Sequence, residues 1–317
     1  MSPLDRLVAG LFDYAGLCPP AALPFDEALR TSARLRLGLR RPGMVASDFV
    51  CGLERLDQVT AGKLAEAGWS PSRPFKVCVL GPPLAGPGSP KAAEQTAAVA
   101  RAGAFGGRDL LAASYEAKCP VDCFGYRALK GLEALREGLG GFTLGLYVEP
   151  ECSADAWDGA LEKIFRFFDG LPPEQRPGLK LRCSGPAAMG PEELARALAA
   201  ALERGLRIKI AAGLHGAVAE EARGEQVGFL GISLAVRLRR ALGPGFSVPA
   251  MAGCMTARDP GQFAFEEGAA AWLGFRLDPG ELPKRPALTI EACGLREPDD
   301  ELARLFPGQG WLADSQT

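Results

Sequence analysis

The sequence holds one histidine, His215, and no asparagine in 317 residues. A single imidazole excludes three-histidine zinc sites and the HExxH metalloprotease helix. No apolar run approaches the roughly 20 residues a membrane-spanning helix requires, so no membrane partner is expected. A basic excess is missing as well. Lys and Arg number 36 against 38 Asp and Glu, a net charge of -2, which argues against a dedicated nucleic-acid binder. Nine cysteines, an odd number spread over a long chain, do not make a disulfide framework. The opening MSPLDRLVAGLFDY carries acids inside its apolar stretch and lacks a signal-peptide layout. The expected location is therefore cytoplasmic.

What is present is ordinary globular composition, 47% hydrophobic and 23% charged. From Met44 onward, short apolar runs alternate with helical patterns. Strands are expected at Met44–Cys51, Phe75–Leu80, Asp109–Glu116, Phe142–Val148, Leu179–Cys183, Leu206–Ala211 and Ala287–Cys293. Helices are expected at Leu53–Ala67, Lys91–Ala102, Tyr126–Glu137, Asp155–Phe168, Pro191–Arg204 and Gln226–Ala241. A further strand is assigned either to Phe246–Met251 or to Ala270–Phe275. Such alternation means βαβ units, and seven or eight of them favour a closed (β/α)8 barrel of TIM type with parallel strands. No GxGxxG follows the first strand, so a dinucleotide fold has no support. The chain reads as one α/β barrel domain over 1–317. Residues 1–43 would cap one end, and 244–286 would form an excursion around Phe263, Phe265 and Trp272.

Strands of a parallel barrel are buried on both faces. A charged side chain within one must therefore point into the interior or sit at the mouth. Glu149 ends Leu-Tyr-Val-Glu, and Lys180 and Arg182 alternate in Leu-Lys-Leu-Arg, so both face one way. Lys209 sits in Arg-Ile-Lys-Ile, and Glu116 and Glu291 end two further strands. Arg outnumbers Lys 27 to 9, so a lysine here is not readily dismissed as surface filler. His215 follows the strand of Lys209 and faces the catalytic end, with Gly213 and Gly216 letting a ligand approach the backbone. The bland alternative is a buried ion-pair network without catalysis. The cysteines read as small core residues; Cys119 and Cys123 lack zinc-knuckle spacing.

Four segments carry a resemblance over most of the chain: Asp13-Tyr-Ala-Gly-Leu-Cys-Pro-Pro-Ala21, Lys180-Leu-Arg-Cys-Ser-Gly185, Lys209-Ile-Ala-Ala-Gly-Leu-His215, and Cys293-Gly-Leu-Arg-Glu-Pro298 with Gly310-Trp-Leu312. Together they resemble a family of uncharacterised bacterial proteins with a K-A-T-A-G-L-H-H-like motif, which implies no particular activity. Gly216 stands where that motif has a second His. Lys180-Leu-Arg-Cys-Ser-Gly185 and Lys209-Ile-Ala-Ala-Gly213 also resemble the paired lysine strands of class I aldolases of the deoxyribose-phosphate type. That resemblance implies Lys180 as a Schiff-base lysine and Lys209 as its pKa-lowering partner. The pair falls on the fifth and sixth strands counted here, one earlier than in those aldolases, unless residues 1–43 hold an uncounted strand.

The resulting expectation is an enzyme for a small carbonyl or anionic metabolite. Lyase or aldolase chemistry would run through a Schiff base on Lys180 or Lys209, with depressed lysine pKa values. Glu149 and His215 would be the acid/base groups, and Arg182, Glu116, Glu291 and Gly213 would bind substrate. No cofactor is expected on this reading, and a homo-oligomer stays open. Two alternatives are a barrel with Mg2+ on Glu116, Glu149 and Glu291 and a metabolite-binding barrel without turnover.

Overall fold

Eight parallel strands close into a barrel in the computed structural model. It describes residues 2–19, 21–37, 46–69, 74–84, 90–106, 109–140, 144–185, 188–212, 214, 216–220, 226–281, 288–292, 302 and 304–306. The first seven barrel strands are β1 (Phe12–Tyr14), β2 (Ala46–Gly52), β3 (Phe75–Leu80), β4 (Leu110–Pro120), β5 (Gly145–Glu151), β6 (Gly178–Arg182) and β7 (Ile208–Ala211). Three short strands, β8 (Phe263–Glu266), β9 (Ala269–Trp272) and β10 (Phe275–Leu277), then form a separate antiparallel sheet. The eighth barrel strand is β11 (Thr289–Ala292), which pairs with β7 on one side and with β1 on the other. Closure runs through β1 against β2.

The helices follow from apolar stripes and caps. α1 (Pro3–Val8) opens with a capping box between Ser2 and Asp5. α2 (Phe25–Leu37) and α3 (Ala61–Glu66) flank β2. α4 (Pro90–Ala104), α5 (Tyr126–Leu139), α6 (Trp157–Asp169) and α7 (Pro191–Glu203) are the crossovers between successive strands from β3 to β7. On α6 the stripe Trp157, Leu161, Ile164, Phe165 and Phe168 is buried, the helical spacing expected of a face laid on the sheet. α8 (Phe229–Leu242) is different, with every residue from Phe229 to Leu238 buried. α1, α9 (Val248–Met255) and the small sheet pack on its outer side.

The sequence-based strands from Cys51 to Ala292 recur with ends shifted by a few residues. Three expectations change. Residues 1–43 are not only a cap, because Phe12–Tyr14 enters the barrel as its first strand. Neither candidate for the extra barrel strand belongs to the barrel. Pro249–Met251 lies within α9, and Ala270–Trp272 lies in the antiparallel sheet around Phe263, Phe265 and Trp272. Leu53–Ala67 is broken at Val59–Thr60 into a 3-10 turn and α3, whose start is capped by the Thr60 hydroxyl.

Candidate functional site

Alternation along each strand sends one set of side chains into the barrel. Ser114 and Glu116 on β4 share that face, as do Lys180 and Arg182 on β6. Register then stacks them: Lys180 lies opposite Lys209, Cys78 opposite Ser114, and Asp13 opposite Glu291. The result is a cluster of four carboxyl groups, three cations and a thiol, contributed by seven of the eight strands.

Glu116 is its centre. One oxygen accepts from Lys180 Nζ at 2.6 Å and the other from Lys209 Nζ at 2.6 Å. The Cys78 thiol donates to Glu116 at 2.8 Å. Lys180 reaches Glu291 at 2.8 Å and Glu149 at 3.3 Å. Lys209 also donates to Asp13 at 2.7 Å and to Ser114 Oγ at 3.2 Å. Arg182 holds Glu149 through Nε at 2.8 Å and Nη2 at 2.7 Å. Lys180, Lys209, Glu116 and Asp13 are all buried.

The electrostatics run opposite to a depressed lysine pair. Burial alone would push Lys180 down, but Glu116, Glu291 and Glu149 outweigh it and hold the ammonium well above its ordinary value. Lys209 likewise stays well above it, because Asp13, Cys78 and Glu116 overcome desolvation. The sequence placed Arg182 beside Lys180 and put Glu116, Glu149 and Glu291 at strand ends; the fold brings all three acids to Lys180. Glu116 and Glu291 split apart. Burial favours the acid form of both, but Lys180 and Lys209 draw Glu116 well below the carboxylate range. Burial and the neighbouring Glu116 carboxylate push Glu291 well above it. The two neighbouring carboxyl groups are therefore pushed in opposite directions, Glu116 toward the carboxylate and Glu291 toward the acid. Glu149, desolvated but facing Lys180 and Arg182, is lowered. The Cys78 thiol is raised by burial and by Glu116.

A cavity of about 290 Å³ opens above this cluster. Leu80, Lys118, Arg182 and Ala212 are among the residues that line it, together with Glu116, Glu149, Lys180 and Glu291. Leu80, Arg182 and Ala212 sit at or just past the C-terminal ends of their strands, the face where barrels of this type carry their sites, and Lys180 reaches it from mid-strand. Ala212, just past β7, is held at φ +62°, a left-handed backbone unusual for a residue with a Cβ. Lys209 lies below the opening, 4.9 Å from the ring centre of Tyr147.

Six of the sequence-predicted residues thus meet in one place: Lys180, Lys209, Glu149, Arg182, Glu116 and Glu291. His215 and Gly213 lie outside the described residues, as does Cys293. Asp13, Cys78 and Ser114 had not been singled out for the site. Cys78 sits on a strand of apolar neighbours and reads as a core thiol, and Asp13 needs β1 to be recognised as a strand. Cys78, Glu116 and Glu291 have ligand atoms within 4.8 Å of one another, a group that could hold a metal ion. Fold and site together define a (β/α)8 barrel with a charged, cavity-forming mouth. Compared with known proteins, the chain matches no protein-family profile and no curated protein at a significant level.

Proposed function

We propose that the protein is a barrel enzyme acting on a small carbonyl or anionic metabolite at this mouth, assisted by a divalent metal on Cys78, Glu116 and Glu291. The convergence of those three ligand groups beneath the cavity carries the reading. Charge supports it. Four carboxyl groups face Lys180, Lys209 and Arg182, one more acid than there are cations, and burial beside Glu116 favours the acid form of Glu291. A divalent ion displacing the protons of Cys78 and Glu291 leaves the buried total unchanged, so desolvation does not oppose the exchange. The thiolate favours a zinc-like ion over Mg2+. Glu149, one of the three Mg2+ ligands considered from sequence, is not in the group whose ligand atoms converge. The metal would polarise a substrate oxygen. Lys180, at the cavity wall, would carry the proton, and Glu149 would orient it.

Elemental analysis and thermal unfolding with Zn2+ or Co2+ test this. One ion per chain is expected. Stabilisation should reach about 2.7 kcal/mol at a hundredfold excess over Kd. The Co2+ protein should show a thiolate-to-cobalt absorption that Cys78→Ser lacks. A protein that neither retains nor responds to these ions is not a metal-assisted enzyme.

A second reading, Schiff-base chemistry on Lys180, has its own support. With β1 counted, Lys180 lies on the sixth barrel strand and Lys209 on the seventh, where the deoxyribose-phosphate type aldolases carry their pair. Lys180 also lines the cavity, whereas Lys209 does not. To act, Lys180 would first have to hand a proton to Glu116 or Glu149. Borohydride trapping with a panel of aldehydes and 2-oxo acids should then label Lys180 and spare Lys180→Met. No adduct across the panel would remove this reading.

A further inference from the structure

The cavity over the cluster is not isolated. A second hollow of about 600 Å³ adjoins it, and Cys18, Pro19 and Leu80 line both. The loop after β1 and the end of β3 therefore form a wall shared by the two hollows, the inner and the outer lobe. The inner lobe is ringed by charge. The outer lobe is walled by Leu17, Leu23 and Val50 and ends on Glu54 and Arg55.

The cations of the two lobes differ in one respect. In the inner lobe each is already engaged: Lys180 by three carboxylates, Arg182 by Glu149, and Lys118 by Glu151 at 2.7 Å. Arg55 in the outer lobe is half-buried and has no hydrogen-bond or ion-pair partner among the described residues. A guanidinium presents five donors in a rigid fork suited to a carboxylate or phosphate. Leaving it unpaired beside apolar walls makes it the point in the cleft where a substrate anion gains most.

We propose that the two lobes bind one elongated substrate: its reacting carbonyl or carboxylate lies in the inner lobe, its aliphatic middle runs along Leu80 and Leu17, and a second anionic group ends on Arg55. The proposal rests on the mouth being a substrate site, and on neither metal nor Schiff-base chemistry. It narrows the substrate class to chain molecules with anionic or carbonyl groups at both ends. Glu54, more exposed than Arg55, sits beside it and weakens anion binding there. Glu54→Gln should therefore tighten it.

Isothermal titration of the full chain at low salt tests this, with two series of four to ten carbons. One series is monocarboxylic acids; the other carries a second carboxylate or a phosphate monoester at the far end. At the length that spans both lobes, the doubly anionic probes should bind about tenfold or more tightly than monocarboxylates of equal length, the size of one charge-assisted hydrogen-bond pair. An advantage for either anion supports the proposal, and their ratio tells carboxylate from phosphate. Arg55→Gln should erase the advantage and Arg55→Lys should keep part of it. Monocarboxylate binding that is sensitive to Arg182→Gln, but without any doubly anionic advantage or with one that survives Arg55→Gln, overturns the proposal and leaves the inner lobe standing as a site. Failure of every acid to bind overturns both.

Discussion

Glu116 accepts from two buried lysines at once, so its carboxylate is the group whose loss costs most. Glu116→Gln should lower the free energy of unfolding by about 3–5 kcal/mol in urea titrations, since two buried ammonium groups lose a counter-charge. Glu291→Gln should cost less than about 1 kcal/mol by the same measurement, because a neutral amide imitates the protonated acid. Equal costs for the two would mean that Glu116 and Glu291 are not pushed in opposite directions. The pH dependence has a definite sign. Glu116 lies well below its ordinary 4.5, so its contribution is present above about pH 4.5 and lost as pH falls through the depressed value. Lys180 and Lys209 lie above their ordinary 10.5, so theirs is present below about pH 10.5 and lost as pH rises beyond it. Glu291 is raised, so its contribution is full below about pH 4.5 and fades as pH climbs through the raised value. The stability of metal-free Glu291→Gln relative to the parent should therefore improve from pH 5 to pH 9, a trend measurable by urea unfolding across that range.

At the level of elements, α8 shows what burial on all sides demands. A Cβ at Gly231 would stand 2.3 Å from the Cys254 carbonyl oxygen and 3.0 Å from Met255 Cα on α9. Alanine gains about 1 kcal/mol of helix propensity over glycine, but backbone cannot move aside as a flexible side chain can. Gly231→Ala should therefore destabilise by about 1–3 kcal/mol, seen as a lower Tm. Ala212 is the reverse case. Its left-handed φ suits glycine, so Ala212→Gly should raise stability by up to about 1 kcal/mol. Most strands were readable because a doubly covered parallel strand is a continuous apolar run. β1 was not, because three residues are too few to show a period, and Asp13 in its middle resembles loop chemistry. α9 and β9 misled for a related reason: short apolar runs rich in Ala, Met and Val carry no signal that separates helix from strand.

Across the whole molecule, the two ends of the barrel sequence are neighbours, since β1 pairs with β11. Removing residues 1–14 would leave β2 and β11 as unpaired edges and take Asp13 from Lys209. Such a chain should lose its cooperative unfolding transition and bind hydrophobic dye, both read in a thermal melt. Among the described residues, no helix is long and apolar enough to cross a membrane. Between β7 and β11 the chain adds α9 and the small sheet to the crossover helix α8.

The residues alone determined the alternation of strand and helix, hence the barrel, and they marked six ionisable groups on strands that must be buried. Both follow from local rules, because periodicity and the cost of burying charge act within a few residues. Only the closed barrel decided who pairs with whom. Lys180 and Glu116 are 64 positions apart, and Lys209 and Asp13 are 196 apart. Strand register and curvature bring them to hydrogen-bond distance, and that proximity decides which way the proton affinity of each lysine and glutamate moves.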